Sequence, residues 1–272
     1  MSETSTVVTP DHREFVTALA RGLEVIKAFT AELPEMNLSE IAERTGLTAA
    51  TVRRSLLTLE YLGYVRRRER RFVLAPKVLS LGDSYFASMN LKEVAQNDLV
   101  ALVEHLHDAA SLTVLDGFEV VYVAHVPSDQ QVRHGRSVGS RLPAHATSTG
   151  LVLLAHASAS HRGKLLATHD LPAYTSRTPV TARDLKARFE QALRDDYMVA
   201  CDTIEYGAIA VAVPVRNAAG RVVAALNCAT KTDVVDEKTL VDTRLGPLRE
   251  AAVKIGAMLD RYPALAHSVP QF

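Results

Sequence analysis

"LSEIAERTGLTAATVRRSLLTLEYLGYVRRRERRFVL", residues 38–74, decides the fold of the amino-terminal part of this chain. Its opening reads as a short helix: Ser39 or Asn37 supplies the cap, Ile41 and Ala42 pack inward, and Gly46 ends it. Thr48 caps a longer helix on which Val52, Leu56, Leu59 and Gly63 share one face at helical spacing. A further helix is predicted upstream, over "FVTALARGLEVIKAFTAE" (residues 15–32), where Leu19, Leu23, Ile26 and Phe29 recur every three or four positions. Three helices, the last two joined by a tight glycine turn, form a helix-turn-helix.

That turn sets the second helix across the third and frees the outward face of the third for a DNA major groove. A projection at about 100° per residue puts Ala50, Thr51, Arg54 and Thr58 on this face. Small residues near its start permit close approach, and Arg54 can reach a guanine edge or a phosphate. Leu57 projects outward too, with no role on the DNA side. The segments "GYVRR" and "RFVL" read as two strands around "RER", a hairpin wing whose Arg66, Arg67, Arg68, Arg70 and Arg71 can follow the phosphate backbone. The expected DNA-contacting set is completed by Ser39, Thr48 and Ala49 at the helix starts and by Arg53.

The whole chain has 31 basic and 31 acidic residues, yet from Thr48 to Lys77 eight basic residues face only Glu60 and Glu69. Such a local cluster is an electrostatic footprint for a polyanion. Apolar residues make up 47% of the chain without any run long enough to span a bilayer, which fits a folded cytoplasmic protein of two domains rather than a membrane protein. Residues 1–12 are polar, lack a secretory pattern and read as a disordered tail, and residues 263–272 read as a tail. Cys201 and Cys228 sit in no metal motif and read as packing residues.

Residues 77–90 carry helical periodicity and read as a linker helix, and a second domain begins with a helix from Leu91 to His107. "ASLTVLDGFEVVYVAHV" gives two strands around Asp116–Gly117. Residues 127–143 show no clear period. A helix begins at Thr149 and another at Thr181, with Asp184 at capping-box spacing. "YMVAC", "GAIAVAVPV" and "GRVVAALNCAT" are three further strands, the last two joined by a turn at Asn217–Gly220, and residues 237–262 close the chain as helix. Helices at both ends of a mainly antiparallel sheet define an α+β sensor-like domain.

"ATSTG" (146–150) lacks the G-x-S-x-G of a nucleophile elbow, and the histidines form no H-x-x-x-H or Cys/His cluster, so neither a catalytic residue nor a metal or other cofactor is expected. "GSRLPAHATSTG" (139–150) reads better as the wall of a pocket. Ser148 and Thr149 at a helix start offer hydroxyls and backbone N–H groups to a carboxylate, or simply cap their helix; Arg141 or His145 can add charge. Two rivals stand beside a regulator, an enzyme with an accessory basic domain and a metal-dependent repressor. Turnover of a candidate acid would favour the first, a chelator-sensitive DNA affinity the second.

Four segments, "FVTALARGLEVIKAF", "LSEIAERTGLTAATVRRSLLTLEYLGYV", "LPAHATSTG" and "GAIAVAVPVRNAAGRVVAALN", together resemble the IclR family of bacterial transcription regulators over residues 14–262. The first resembles most the branch governing protocatechuate, 4-hydroxybenzoate and β-ketoadipate catabolism. The resemblance implies a winged helix-turn-helix (13–76), a linker helix (77–90) and a GAF-like effector domain (91–262), assembled as a dimer or a dimer of dimers. It implies operator DNA and a small organic acid as partners, the acid held by Leu142, Ala144, Ser148, Thr149 and Gly150 on one side and Ala210 and Asn227 on the other. One departure stands out. The family usually shows Asp-x-Glu ending four residues before the glycine matched by Gly207, whereas here Thr203 takes the Glu position, with Asp202 and Glu205 near but shifted.

Overall fold

The computed structural model describes residues 15–30, 32–82, 91–128, 136–167 and 171–259. The expected tails (1–12 and 263–272) and most of the expected linker helix (83–90) lie outside the described residues. The chain divides into two compact units, residues 1–84 and 85–272.

The first unit has helices α1 (Thr17–Lys27), α2 (Leu38–Thr45) and α3 (Ala49–Tyr61) with strands β1 (Glu35–Asn37), β2 (Val65–Arg68) and β3 (Arg71–Leu74). Asn37, not Ser39, caps α2: its side chain accepts from the Ser39 and Glu40 amides while the Glu40 carboxylate accepts from the Asn37 amide at 2.8 Å. Gly46 then ends the helix with φ +67°, a left-handed conformation that a Cβ disfavours. Val52, Leu56 and Leu59 are buried together with Val25, Phe29, Met36, Ile41, Val65 and Phe72. The wing is a hairpin in the register Arg67↔Phe72 and Arg68↔Arg71, with β1 added as a third strand against β3. That third strand was not expected, because three residues are too few to display a period of two. The stripe expected of α1 is only partly buried. Phe29 faces the core, but Leu19 is 63% and Leu23 44% exposed, and Val25 and Ala28 take the inward positions. After β3 the chain makes a 3₁₀ turn, Pro76–Leu79, rather than starting directly as an α-helix.

The second unit is built on a six-stranded antiparallel sheet. Its strands are β4 (Ala109–Asp116), β5 (Glu119–Val126), β6 (Arg141–Pro143), β7 (Met198–Cys201), β8 (Ala208–Arg216) and β9 (Val222–Lys231), in the order β6-β5-β4-β9-β8-β7. Helices α4 (Leu91–Leu106) and α8 (Glu237–Leu259) cover one face, and α5 (Ser148–His156) and α7 (Ala182–Asp195) pack on the other; α6 (Ala159–Leu166) follows α5. β6 and α6 were not anticipated, β6 lying inside the stretch that shows no period. Thr181 caps α7 as expected, accepting from the Asp184 amide at 3.1 Å.

Alternation along the strands makes the two faces of the sheet unlike. Leu112, Val114, Val211, Val213, Leu226 and Cys228 point to the α4/α8 side and join a dense apolar core with Leu99, Leu248 and Ile255. The intervening positions are small or polar: Ser111 on β4, Ala210 and Ala212 on β8, and Ala225, Asn227 and Ala229 on β9. Small side chains on one half-face leave room beneath α5. An ion pair from half-buried Arg244 Nε to buried Asp108 Oδ2, at 2.9 Å, ties the start of β4 to α8.

Candidate functional site

Two surfaces carry the chemistry, one in each unit. In the first, α3 presents Ala49, Ala50, Arg53, Arg54 and Thr58 to solvent, with Thr51 half-buried. Thr48 caps the helix by accepting from the Thr51 amide at 3.3 Å, and the two hydroxyls bond each other at 2.9 Å, which fixes both at the tip that would enter a groove. Leu57 is 48% exposed on the same helix.

The five wing arginines divide into three kinds. Arg66 and Arg68 share the face of β2 opposite to Val65, and Arg70 sits in the turn, all exposed. Arg67 lies on the core side, its guanidinium 5.9 Å from the Phe72 ring centroid and its Nε donating to the Glu69 carbonyl. Arg71 corrects the sequence expectation. Its guanidinium bridges the Glu35 carboxylate at 3.3 Å and the Glu40 carboxylate at 3.2 Å, so this cation braces the wing against α2 instead of projecting to phosphate. The register explains it: Arg71 pairs with Asn37 across the sheet and so points along the edge where α2 begins.

In the second unit a cavity of about 670 Å³ opens between α5, the small-residue half of the sheet and the loop after β7. That volume is in the range of small-molecule sites. Of the residues singled out from sequence, Ser148, Thr149, Glu205, Ala210 and Asn227 line it. Thr147, not Ser148 or Thr149, caps α5 by accepting from the Gly150 amide at 3.1 Å. The hydroxyls of Ser148 and Thr149 therefore remain as cavity groups beside the first amides of the helix, which have no acceptor within it.

The other expected contacts are placed elsewhere, each for a visible reason. Arg141 is closed by two bonds of 2.7 Å, to Asp116 and Glu119, on the exposed edge of β6 and β5. Leu142 packs into the apolar cluster around Leu151 and Tyr122. Ala144 lies under α5, and Gly150 is required above it: a Cβ there would stand 2.1 Å from the Ala144 carbonyl oxygen. His145 is buried and held by the Pro172 carbonyl at 3.1 Å; burial pushes its pKa down, against the opposing pull of that bond. Because a carbonyl only accepts, Nε2 carries the proton in that bond. Asp202, with φ +57°, accepts from the Gly207 amide at 2.7 Å and shapes the loop after β7.

Thr203, at the position where an acid was expected, is buried and donates to the Ala146 carbonyl at 2.7 Å. It fastens that loop to the segment before α5, a neutral tie in place of a charge. Among the lining groups that escaped the sequence reading are Ser111, Tyr122, His125 and Arg136. Ser111 bonds His125 Nδ1 at 2.9 Å. Burial first, and then the Arg136 charge, lower the His125 pKa. Arg136 donates to the Tyr122 hydroxyl at 3.1 Å and to Glu205 at 3.3 Å. Ser111 and His125 were visible as polar interruptions of apolar strands, while Arg136 belongs to the aperiodic stretch and gave no signal. No group of three His, Cys, Asp or Glu that could hold a metal ion occurs among the described residues. No helix among them is long and apolar enough to cross a membrane.

Comparison with known proteins agrees with both halves. Residues 18–69 match the IclR helix-turn-helix domain and residues 83–257 match the bacterial transcriptional regulator IclR C-terminal domain. The chain is 36% identical over 244 residues to the p-hydroxybenzoate hydroxylase transcriptional activator of Acinetobacter baylyi, covering 88% of this chain and 90% of that one. It is 38% identical over 240 residues to the Pca regulon regulatory protein of Pseudomonas putida, covering 88% and 82%. Among solved structures, an IclR homolog complexed with 4-hydroxybenzoate from Microbacterium hydrocarbonoxydans superimposes with a TM-score of 0.78 at 28% identity, over 90% of this chain and 99% of that one. With the two domain models together spanning most of its length, the chain belongs to the IclR family of bacterial transcriptional regulators.

Proposed function

We propose that this regulator binds operator DNA as a homodimer or dimer of dimers and that a small aromatic carboxylic acid of the hydroxybenzoate class, lodged in the cavity beneath α5, sets its affinity. On the DNA side, Arg54, Ala50 and Thr58 of α3 read bases while Arg53, Arg66, Arg68 and Arg70 supply sequence-independent attraction to phosphate. The single observation carrying the effector side is the cavity itself. A sheet face stripped to Ala210 and Ala229 accepts a planar ring, and around it stand a helix start, several hydroxyl-bearing residues and an arginine. A relative that is the transcriptional activator of p-hydroxybenzoate hydroxylase and an IclR homolog complexed with 4-hydroxybenzoate support the choice of acid.

Calorimetric titration of the protein with 4-hydroxybenzoate, protocatechuate and β-ketoadipate tests the reading. One of the aromatic acids binds with a stoichiometry of one per chain and raises the apparent thermal stability. If none of them binds while the protein is folded, the cavity serves another ligand class.

A further inference from the structure

Arg136 and Arg141 are five positions apart and differ in what they have left to give. Arg141 is saturated by two carboxylates at 2.7 Å outside the cavity. Arg136 lines the cavity, its side chain is 29% exposed, and its carboxylate contact, to Glu205, is 3.3 Å long. Well-formed charge-assisted bonds to carboxylates are shorter than that, about 2.7–2.9 Å. Another guanidinium contact goes to the Tyr122 hydroxyl at 3.1 Å. There the phenol oxygen accepts, which leaves its own O–H able to donate.

The remaining charges around the cavity do not compete for this role. Lys231 and Asp233 are exposed, where solvent screens them, and burial lowers the His125 pKa, which disfavours its cation. An entering carboxylate brings a negative charge beside Glu205, and the partly desolvated cation within that group of residues is Arg136.

We infer that Arg136 is the carboxylate receptor of the cavity and that Glu205 occupies its guanidinium as an internal stand-in which the effector's carboxylate displaces. This rests on the effector reading above and adds an orientation to it. The carboxylate lies on Arg136 and the Tyr122 O–H, the ring lies over the alanine face, and the distal hydroxyl is left to neutral partners, Ser148, Thr149 and Asn227. It also makes binding an exchange. Glu205 stands on the loop joining β7 to β8 and Arg136 on the segment before β6, so the arriving acid unties one loop from the other. A group that must first be displaced lowers apparent affinity by the fraction of receptor it occupies.

The experiment is titration calorimetry on the full chain with 4-hydroxybenzoate and its neutral isostere 4-hydroxybenzamide, using wild type, Arg136→Gln and Glu205→Gln. The wild type prefers the acid. Arg136→Gln loses about tenfold or more of its affinity for the acid and keeps that for the amide, so the preference collapses. Glu205→Gln, with the stand-in neutralised, binds the acid about threefold or more tightly and the amide unchanged. Retention of the acid preference by Arg136→Gln, or unimproved binding of the acid by Glu205→Gln, overturns the inference while the cavity reading survives. Should Arg136→Gln fail to fold, the Glu205→Gln result decides alone. A folded wild type that binds neither compound removes 4-hydroxybenzoate as the effector, and this inference with it, while the cavity stays open to another ligand.

Discussion

Nη2 of Arg71 lies 3.2 Å from Oε2 of Glu40, the same oxygen that accepts the Asn37 amide at 2.8 Å in the capping box of α2. One carboxylate thus serves the helix start and the wing together, and Arg71 also donates to the Glu35 carbonyl at 2.8 Å. Arg71→Ala removes these bonds. Since the groups are nearly half exposed, solvent screening keeps the loss near 1 kcal/mol. Denaturant unfolding shows that loss, whereas Arg68→Ala, on the neighbouring exposed cation, leaves stability within about 0.5 kcal/mol.

DNA affinity divides these arginines the other way. Replacing Arg66, Arg68 and Arg70 by Ala lowers affinity for preferred and random duplexes alike. The dependence of log affinity on log salt flattens by roughly 0.9 for each phosphate that is no longer neutralised. An unchanged slope would remove the wing from the interface. Arg54→Ala behaves differently, costing about 1–3 kcal/mol on the preferred sequence and much less on random DNA. Equal losses on both would assign Arg54 to the phosphate backbone.

Gly150→Ala places its Cβ 2.1 Å from a backbone oxygen that cannot rotate away. We expect a loss of about 3 kcal/mol and a weakened response to the acid, because α5 must lift from the cavity roof. Gly163→Ala provides the matched comparison. Gly163 lies inside α6 with nothing within 4 Å of the added carbon, and the exchange stabilises by up to about 1 kcal/mol through helix propensity. Thermal unfolding of the two variants reads opposite signs.

Stability depends on pH through buried His145 and half-buried His125 and His156, all with pKa pushed below the ordinary 6.5, burial being the leading cause for each. The unfolded chain therefore takes up protons first on acidification. Their contribution is intact above pH 6.5 and is lost as pH falls from there toward the folded-state values. Melting temperature measured from about pH 7.5 to about pH 5.5 declines, and His145→Gln, which can still donate to the Pro172 carbonyl, declines less steeply. A parallel decline in the variant would remove His145 from the effect.

The helix-turn-helix and the strand pair β8–β9 were legible because their apolar periods are long enough to assign a face. Three other short elements were not. β1, β6 and α6 run three to eight residues, and their existence depends on partners far away in the chain. Of the candidate site, Ser148 and Thr149 stood out by residue type at a helix start and Ala210 only through the family resemblance, whereas Thr147, which caps α5, did not stand out. Side-chain pairing is less local: Arg71 and Arg141 read as available charges until their partners, Glu40 and Glu119, were brought beside them by folding. Arg136 escaped notice for the complementary reason, an aperiodic neighbourhood that only the fold carries to the cavity.

The central claim is that occupancy of the cavity alters the grip on DNA. Fluorescence anisotropy with a duplex selected from a random pool, measured with and without saturating 4-hydroxybenzoate or protocatechuate, tests it most directly in wild type and in Ala210→Phe, which fills the ring site from the sheet side. The account predicts that an acid changes wild-type affinity about fivefold or more, corresponding to a coupling of about 1–3 kcal/mol, and leaves the filled variant unmoved. The same ligand response in Ala210→Phe as in wild type would contradict it.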